Sequence, residues 1–197
     1  ARIHQYVNTV EPTYQNEYTG LLKGKNLIII TAEAFNYAVI DPELTPTLYR
    51  LTTEGIEFTN FYEPLWSGCT SGGELANLSG LAMNCEMNTY SKHKPFNTIG
   101  ALLQKEGYFS RAYHNNIYTF YDRHKVYPNL GFDHFLSIEY MDNIRENALS
   151  WAKDGLLTEQ ILKCLDDAEQ SGFVYTVAVQ PHGRYPTEIT GDAYPIT

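Results

Sequence analysis

Two apolar runs constrain this chain more than any other feature. Asn26–Leu27–Ile28–Ile29–Ile30–Thr31 and Phe173–Val174–Tyr175–Thr176–Val177–Ala178–Val179 are continuous and β-branched rather than alternating. A strand that is polar at every second residue keeps one wet face. A strand apolar on both faces is covered on both, as in parallel sheets packed between helices. Strand-like and helix-like segments alternate between the two runs, which predicts βαβ units and a largely parallel sheet. The first run is read as a central strand of that sheet, and the second as another buried one.

Taken in order, residues 1–25 are polar and aromatic without a clear period, an extended lead-in with turns at Gly20 and Gly24. Pro46 suits the first position of a helix with Leu48, Leu51 and Thr52 on one face and Gly55 at its end. Ile56–Tyr62 alternates and predicts a strand. Gly68–Cys69–Thr70–Ser71–Gly72–Gly73–Glu74 then opens a helix through Leu75, Leu78, Leu81 and Ala82. A further helix is expected over 96–106, closed by Gly107, followed by a strand at Tyr108–Tyr113. A helix or turn begins at Thr119, and a short strand is entered at 131–135. Asp154 is expected to cap a helix that carries Leu157, Ile161, Leu165 and Ala168 and ends near Gly172.

Function is sought where this layout places it. Open α/β sheets bind ligands beyond the carboxyl ends of their strands. Glu33, the His114–Arg123 segment and His182 each follow a predicted strand, so all three belong to one edge. Thr70 sits at a helix start, where backbone N–H groups favour anions and glycines permit close approach. Taken alone, Thr70 has two readings, a helix cap or a nucleophile. Glu33 alone reads first as a helix-start or loop charge. Together, a carboxylate, a hydroxyl, an arginine and a histidine are what metal-assisted transfer of a phosphoryl-type group requires. The carboxylate holds a divalent cation, which lowers the hydroxyl pKa, while arginine forks onto phosphate oxygens and histidine moves a proton.

Bulk properties narrow the classes. The net charge of −9 and the lack of a basic run argue against nucleic acid. The 16 tyrosines suit carbohydrate or headgroup contacts as well as half-buried strands. No apolar run approaches the roughly 20 residues that span a bilayer, and no signal-peptide pattern is present. Cys69, Cys85 and Cys164 have no zinc-like spacing, and Cys69 with Cys85 flanks the Thr70 helix, where a disulfide is one option and burial as small hydrophobes the other.

Several segments carry a resemblance. Asn26 to Phe35 (NLIIITAEAF), TPTLYRLTTEGIEFTNFYEP and GCTSGGE look like the lipoteichoic acid synthase group of the sulfatase/alkaline-phosphatase-like superfamily. FYDRHKVYPNLGFDHF is similar to that group's aromatic-pair-and-arginine segment, and QPHGRYP to its substrate histidine segment. The resemblance runs in order over roughly residues 20–190. It implies an alkaline-phosphatase/sulfatase-like α/β/α sandwich with a largely parallel central sheet. It also implies that 26–197 is the N-terminal part of a catalytic domain, incomplete at its C-terminal end, after a lead-in at 1–25. By the same resemblance Glu33 and Thr70 are metal ligands, Thr70 is the catalytic nucleophile, and Asn116, Phe120, Tyr121, Arg123 and His182 bind substrate. The cation is expected to be Mn²⁺ or Mg²⁺, with Zn²⁺ the poorer match.

Departures accompany it. Tyr121 stands where the group has Trp, Asn116 where some members have Asp, and Gly183–Arg184 replaces a more apolar residue. Arg184 reads as a contact to an anionic acceptor or as a surface charge. The group completes its metal site with an Asp–His pair further downstream. The only such pair here, Asp133–His134, falls in a different segment and reads as a structural loop pair. Two oxygen ligands hold a hard cation weakly, so the chain alone is expected to bind metal poorly and to be inactive. The implied reaction moves a phosphoglycerol group from a phosphatidylglycerol-like headgroup, through a covalent phospho-Thr, to a glycerol-phosphate or glycan acceptor. Its setting is extracytoplasmic and membrane-associated or released, with membrane attachment and the remainder of the catalytic domain supplied from outside this chain. Alternatives are another hydrolase or phosphoethanolamine transferase of the superfamily, or a non-catalytic fragment that binds headgroups or glycans. A sulfatase would need a modified Cys or Ser followed by Pro and Arg, which Ser71–Gly72–Gly73 lacks.

Overall fold

The computed structural model describes residues 2–62, 69–81, 87–94, 97–142 and 152–182. The lead-in holds a short helix, α1 (Arg2–Val7), and turns through Gly20 and Gly24. Its end is tied to the sheet. The Gly24 amide donates to the Tyr108 hydroxyl at 2.9 Å, and the Ser171 hydroxyl donates to the Gly24 carbonyl at 2.7 Å. There follow β1 (Leu27–Thr31), α2 (Pro46–Glu54), α3 (Thr70–Ser79), α4 (Ile99–Lys105) and β2 (Phe109–His114). Then come α5 (Arg123–Asn129), β3 (His134–Ser137), α6 (Gly155–Asp166) and β4 (Gly172–Val177).

The strands form a four-stranded sheet in the order β1-β4-β2-β3, and every pairing is parallel. Ile29 lies beside Tyr175, and Tyr113 beside Thr176. All of β4 is buried, as its unbroken apolar run predicts. Alternate residues of a strand face opposite ways, and β4 feeds two cores. Phe173, Tyr175 and Val177 pack with Leu75 and Leu78 of α3 and Val126 and Tyr127 of α5. Val174, on the other face, packs with Leu156, Leu157 and Ile161 of α6. Helices on both faces of a parallel sheet make the expected α/β/α sandwich.

Local signals explain several boundaries. Thr98 caps α4 by accepting the Ala101 amide at 3.1 Å, and its hydroxyl donates to the Leu130 carbonyl at 2.6 Å. Gly131 has φ +89°, and a Cβ there would lie 2.3 Å from the Ala101 nitrogen. Only glycine fits that turn against α4.

Four expectations fail. Among the described residues β1 is an edge strand, not a central one, and Ile28 and Ile30 are 44% and 65% exposed. Among the described residues the flanked position beside β1 belongs to β4. Ile56–Tyr62 is not a strand: it finds no ladder partner among the described residues, and Ile56 and Phe58 are exposed. Alternation makes a strand only where a neighbouring strand supplies hydrogen bonds. Asp154 precedes α6 but makes no side-chain cap. Its carboxylate instead accepts from Asn115 Nδ2 and from the Val179 amide, each at 2.9 Å, and so pins the loops after β2 and β4 together. Gly172 starts β4 instead of ending α6. Cys85, Gly183 and Arg184 lie outside the described residues, and with them the Cys69–Cys85 pairing and the Arg184 contact to an anionic acceptor.

Candidate active site

Parallel pairing brings the ends of β1, β2 and β4 to one edge, and a cavity of about 270 Å³ opens there. Glu33, Thr70, Asn116, Phe120, Tyr121, Arg123 and His182 all line it, together with His114, Ile117, Ala178 and Val179. Every site residue read from the sequence is thus brought to one place. A larger cleft of about 550 Å³ lies at the other end of the strands, between the lead-in, Leu103, Tyr108 and Ser171. Its charged pair, Lys23 and Glu106, is solvated and 3.9 Å apart. Convergent polar groups single out the smaller cavity.

Thr70 is the first residue of α3; the cap position falls to Cys69, which makes no side-chain cap. The Thr70 hydroxyl is therefore not spent on the helix end. It donates to Glu33 Oε2 at 3.1 Å, across from the end of β1. Ala34, directly after Glu33, has φ +49°, a left-handed turn that carries the chain away from the strand. A hydroxyl hydrogen-bonded to a carboxylate at a helix N-terminus has a proton acceptor in place, an arrangement that suits nucleophilic chemistry.

Arg123 opens α5 and is 1% exposed. It forms an ion pair with Glu74, donating from Nη2 to Oε1 and from Nε to Oε2, the latter at 3.3 Å. The Tyr127 hydroxyl donates to the same Oε2 at 2.5 Å. Burial weakens the guanidinium's charge, but Glu74 and then Tyr127 more than offset it, and the pKa of Arg123 is raised. The rings of Phe120 and Tyr121 lie 5.6 Å and 5.1 Å from its Cζ. Tyr121 and Asp122 both have φ +55°. Two successive non-glycine residues in that region cost on the order of 1–3 kcal/mol each, a strain typical of functional sites.

His114 and Glu74 were missed as site residues. His114 is the last residue of β2 and 3% exposed, the same strand-end position that singled out Glu33 and His182. Its Nδ1–H donates to the Val177 carbonyl at 2.9 Å, which leaves the lone pair on Nε2, and Nε2 has no partner among the described residues. Burial and then the nearby Arg123 charge lower its pKa to about 3, against the Val177 hydrogen bond, so the imidazole is neutral. Glu74 follows Thr70 by one helical turn, a spacing that puts both on one helix face. Asp133 accepts from the Ser110 amide and from Gln104 Nε2, both at 2.7 Å, which bears out its structural reading.

The Glu33–Thr70 pair supplies two adjacent oxygens, which fit part of the shell of a hard divalent cation. Among the described residues no group of three or more His, Cys, Asp or Glu side chains forms a complete shell.

The parallel α/β/α sheet thus carries, at the carboxyl ends of its strands, a threonine at a helix start, a strand-end carboxylate and a buried arginine. The chain belongs to the sulfatase family, whose model matches residues 25–194. Lipoteichoic acid synthase 1 of Bacillus subtilis is 32% identical over 184 residues, 86% of this chain and 28% of that protein. A lipoteichoic acid synthase of Staphylococcus saprophyticus is 31% identical over 157 residues, 74% of this chain and 24% of that protein. Among solved structures, the lipoteichoic acid synthase LtaP from Listeria monocytogenes superposes with a TM-score of 0.75 at 24% identity, over 92% of this chain and 47% of that one. The chain thus spans less than a third of the length of these curated relatives.

Proposed function

We propose that this chain carries the nucleophile side of a phosphoglycerol-type transferase that acts on a lipid-headgroup phosphodiester. The observation that carries the reading is the Thr70 hydroxyl bonded to Glu33 at 3.1 Å on the rim of a cavity lined by Arg123, His114 and His182. Thr70 Oγ attacks phosphorus as Glu33 accepts the hydroxyl proton. The bond from phosphorus to the diacylglycerol oxygen breaks, and that oxygen takes the proton Glu33 has accepted and leaves as the alcohol. A glycerophosphoryl–Thr70 ester remains. An acceptor hydroxyl then attacks the same phosphorus and gives its proton to Glu33, the bond to Thr70 breaks, and Thr70 takes that proton back. Arg123 holds a non-bridging oxygen, Phe120 and Tyr121 bound the headgroup, and His114, with its Nε2 lone pair, accepts from a substrate hydroxyl. Asn116 and His182 complete the lining.

Glu33 and Thr70 would hold a Mn²⁺ or Mg²⁺ ion, with the rest of its shell from outside this chain. When bound, such an ion lowers the nucleophile's pKa and neutralises phosphate charge. Membrane association, the lipid donor and the glycerol-phosphate or glycan acceptor belong to this reading, as does an extracytoplasmic setting. Among the described residues no helix is long and apolar enough to cross a membrane.

The test is trapping. With full-length protein and phosphatidylglycerol vesicles, mass spectrometry is expected to find a glycerophosphoryl group on the peptide that carries Thr70. The Thr70→Ala protein is expected to lose turnover by at least roughly a thousandfold. Retained turnover in that variant refutes the assignment.

A further inference from the structure

Building on the reading of Arg123 as the phosphate contact, we propose that Glu74, braced by Tyr127, is a positioning residue that aims Arg123 and biases the site toward singly charged phosphodiesters over doubly charged monoesters. Thr70 and Glu74 are one turn apart on α3, so a single rigid helix places both the nucleophile and the partner of the arginine. Glu74 is wholly buried, and both of its oxygens are committed, to Arg123 Nε and Nη2 and to Tyr127. The guanidinium is thereby gripped along one side. Nη1 is left without a partner among the described residues, on an arginine that lines the cavity.

Stability alone does not account for this arrangement. A buried ion pair often stabilises no more than apolar residues of equal volume, and an orphaned buried donor is a net cost. A ligand oxygen at Nη1 removes that cost. The charge balance sets which ligand. Glu74 cancels the charge of Arg123, and His114 is neutral, so this wall offers directed hydrogen bonds with no surplus positive charge. A diester oxyanion carries one charge and is satisfied by that. A monoester dianion brings a second charge that the wall leaves unbalanced.

The experiment uses the full-length enzyme and two chromogenic probes, bis(p-nitrophenyl) phosphate and p-nitrophenyl phosphate. Glu74→Gln keeps the shape and an acceptor oxygen but releases the arginine's charge. The ratio of kcat/KM for diester to that for monoester is expected to fall roughly tenfold or more. Equal losses on both probes mean that Glu74 is merely structural, and overturn the proposal. Should Glu74→Gln fail to fold, Tyr127→Phe decides. It removes one brace and leaves the ion pair, and is expected to shift the ratio the same way by a smaller factor; an unchanged ratio overturns the proposal. Arg123→Gln separates the underlying reading. If it leaves diester turnover intact, the substrate role of Arg123 fails; if it abolishes turnover while Glu74→Gln leaves the ratio unchanged, only the role of Glu74 fails.

Discussion

Acid should destabilise this domain through His114 by an amount the structure allows to be worked out. The imidazole is 3% exposed, donates from Nδ1 to the Val177 carbonyl, and shares its cavity with Arg123, Glu33 and His182. Its pKa is lowered from 6.5 to about 3 in the folded state, first by burial and then by Arg123. Between those values the unfolded chain binds a proton that the folded chain refuses. Stability from this group is therefore complete above pH 6.5 and is lost as pH falls toward 3. Linkage puts the loss between pH 7 and pH 5 at about 2 kcal/mol, and the whole effect near 5 kcal/mol. Urea denaturation across that range, on the protein and on His114→Gln, measures it. Glutamine keeps a donor for Val177 but does not titrate. Carboxylates common to both proteins cancel, so the parent should lose about 2 kcal/mol more than the variant. Equal losses within about 0.5 kcal/mol would refute the claim that His114 is buried neutral.

Calorimetric titration of this chain alone with Mn²⁺ is expected to show binding no tighter than about millimolar, because two oxygens are too few for a hard cation; tight stoichiometric binding would overturn the claim that the shell is completed from outside this chain. Gly131→Ala should cost about 2–4 kcal/mol in thermal or chemical denaturation, since its φ of +89° and a Cβ 2.3 Å from the Ala101 nitrogen leave no relaxed alternative. Leu75→Ala, at a fully buried position of α3, should cost about 2–5 kcal/mol by the same measurement. Intact mass analysis is expected to find Cys69 without formylglycine, as it does not line the cavity; the modified residue would favour sulfatase chemistry.

The sequence brought the candidate site residues to one edge, and it placed several of the elements around them less well. Strand-end logic picked out Glu33 and His182 because a parallel sheet converts position in sequence into position in space. His114 obeys the same logic. It was passed over because Asn116 and the aromatic segment carried the resemblance, and its buried lone pair depends on the Val177 carbonyl, 63 residues away. Glu74 gave even less signal: a glutamate in the first turns of a helix reads as solvated. Only packing shows it at 0% exposure between Arg123 and Tyr127, which lie 49 and 53 residues further on. Asp154 takes the N-cap position of α6, but its carboxylate is engaged elsewhere for the same reason. Its partners, Asn115 and Val179, come from loops that only the tertiary fold brings to it.

β1 is the instructive failure, because its composition and its environment disagree. A run of isoleucines on both faces describes a covered strand, yet in this structure β1 pairs on one side only and leaves Ile28 and Ile30 facing out. Both facts hold if the apolar run reflects packing beyond the described residues. The two situations predict different responses to one substitution. At a 65% exposed position, Ile30→Lys should change the stability of this chain by no more than about 0.5 kcal/mol, the range for surface sites. At a covered position, burying an unpaired ammonium costs several kcal/mol. A small effect in this chain and a large one in the full-length protein would mean that Ile30 is covered there; a large effect in this chain alone would contradict its exposure here.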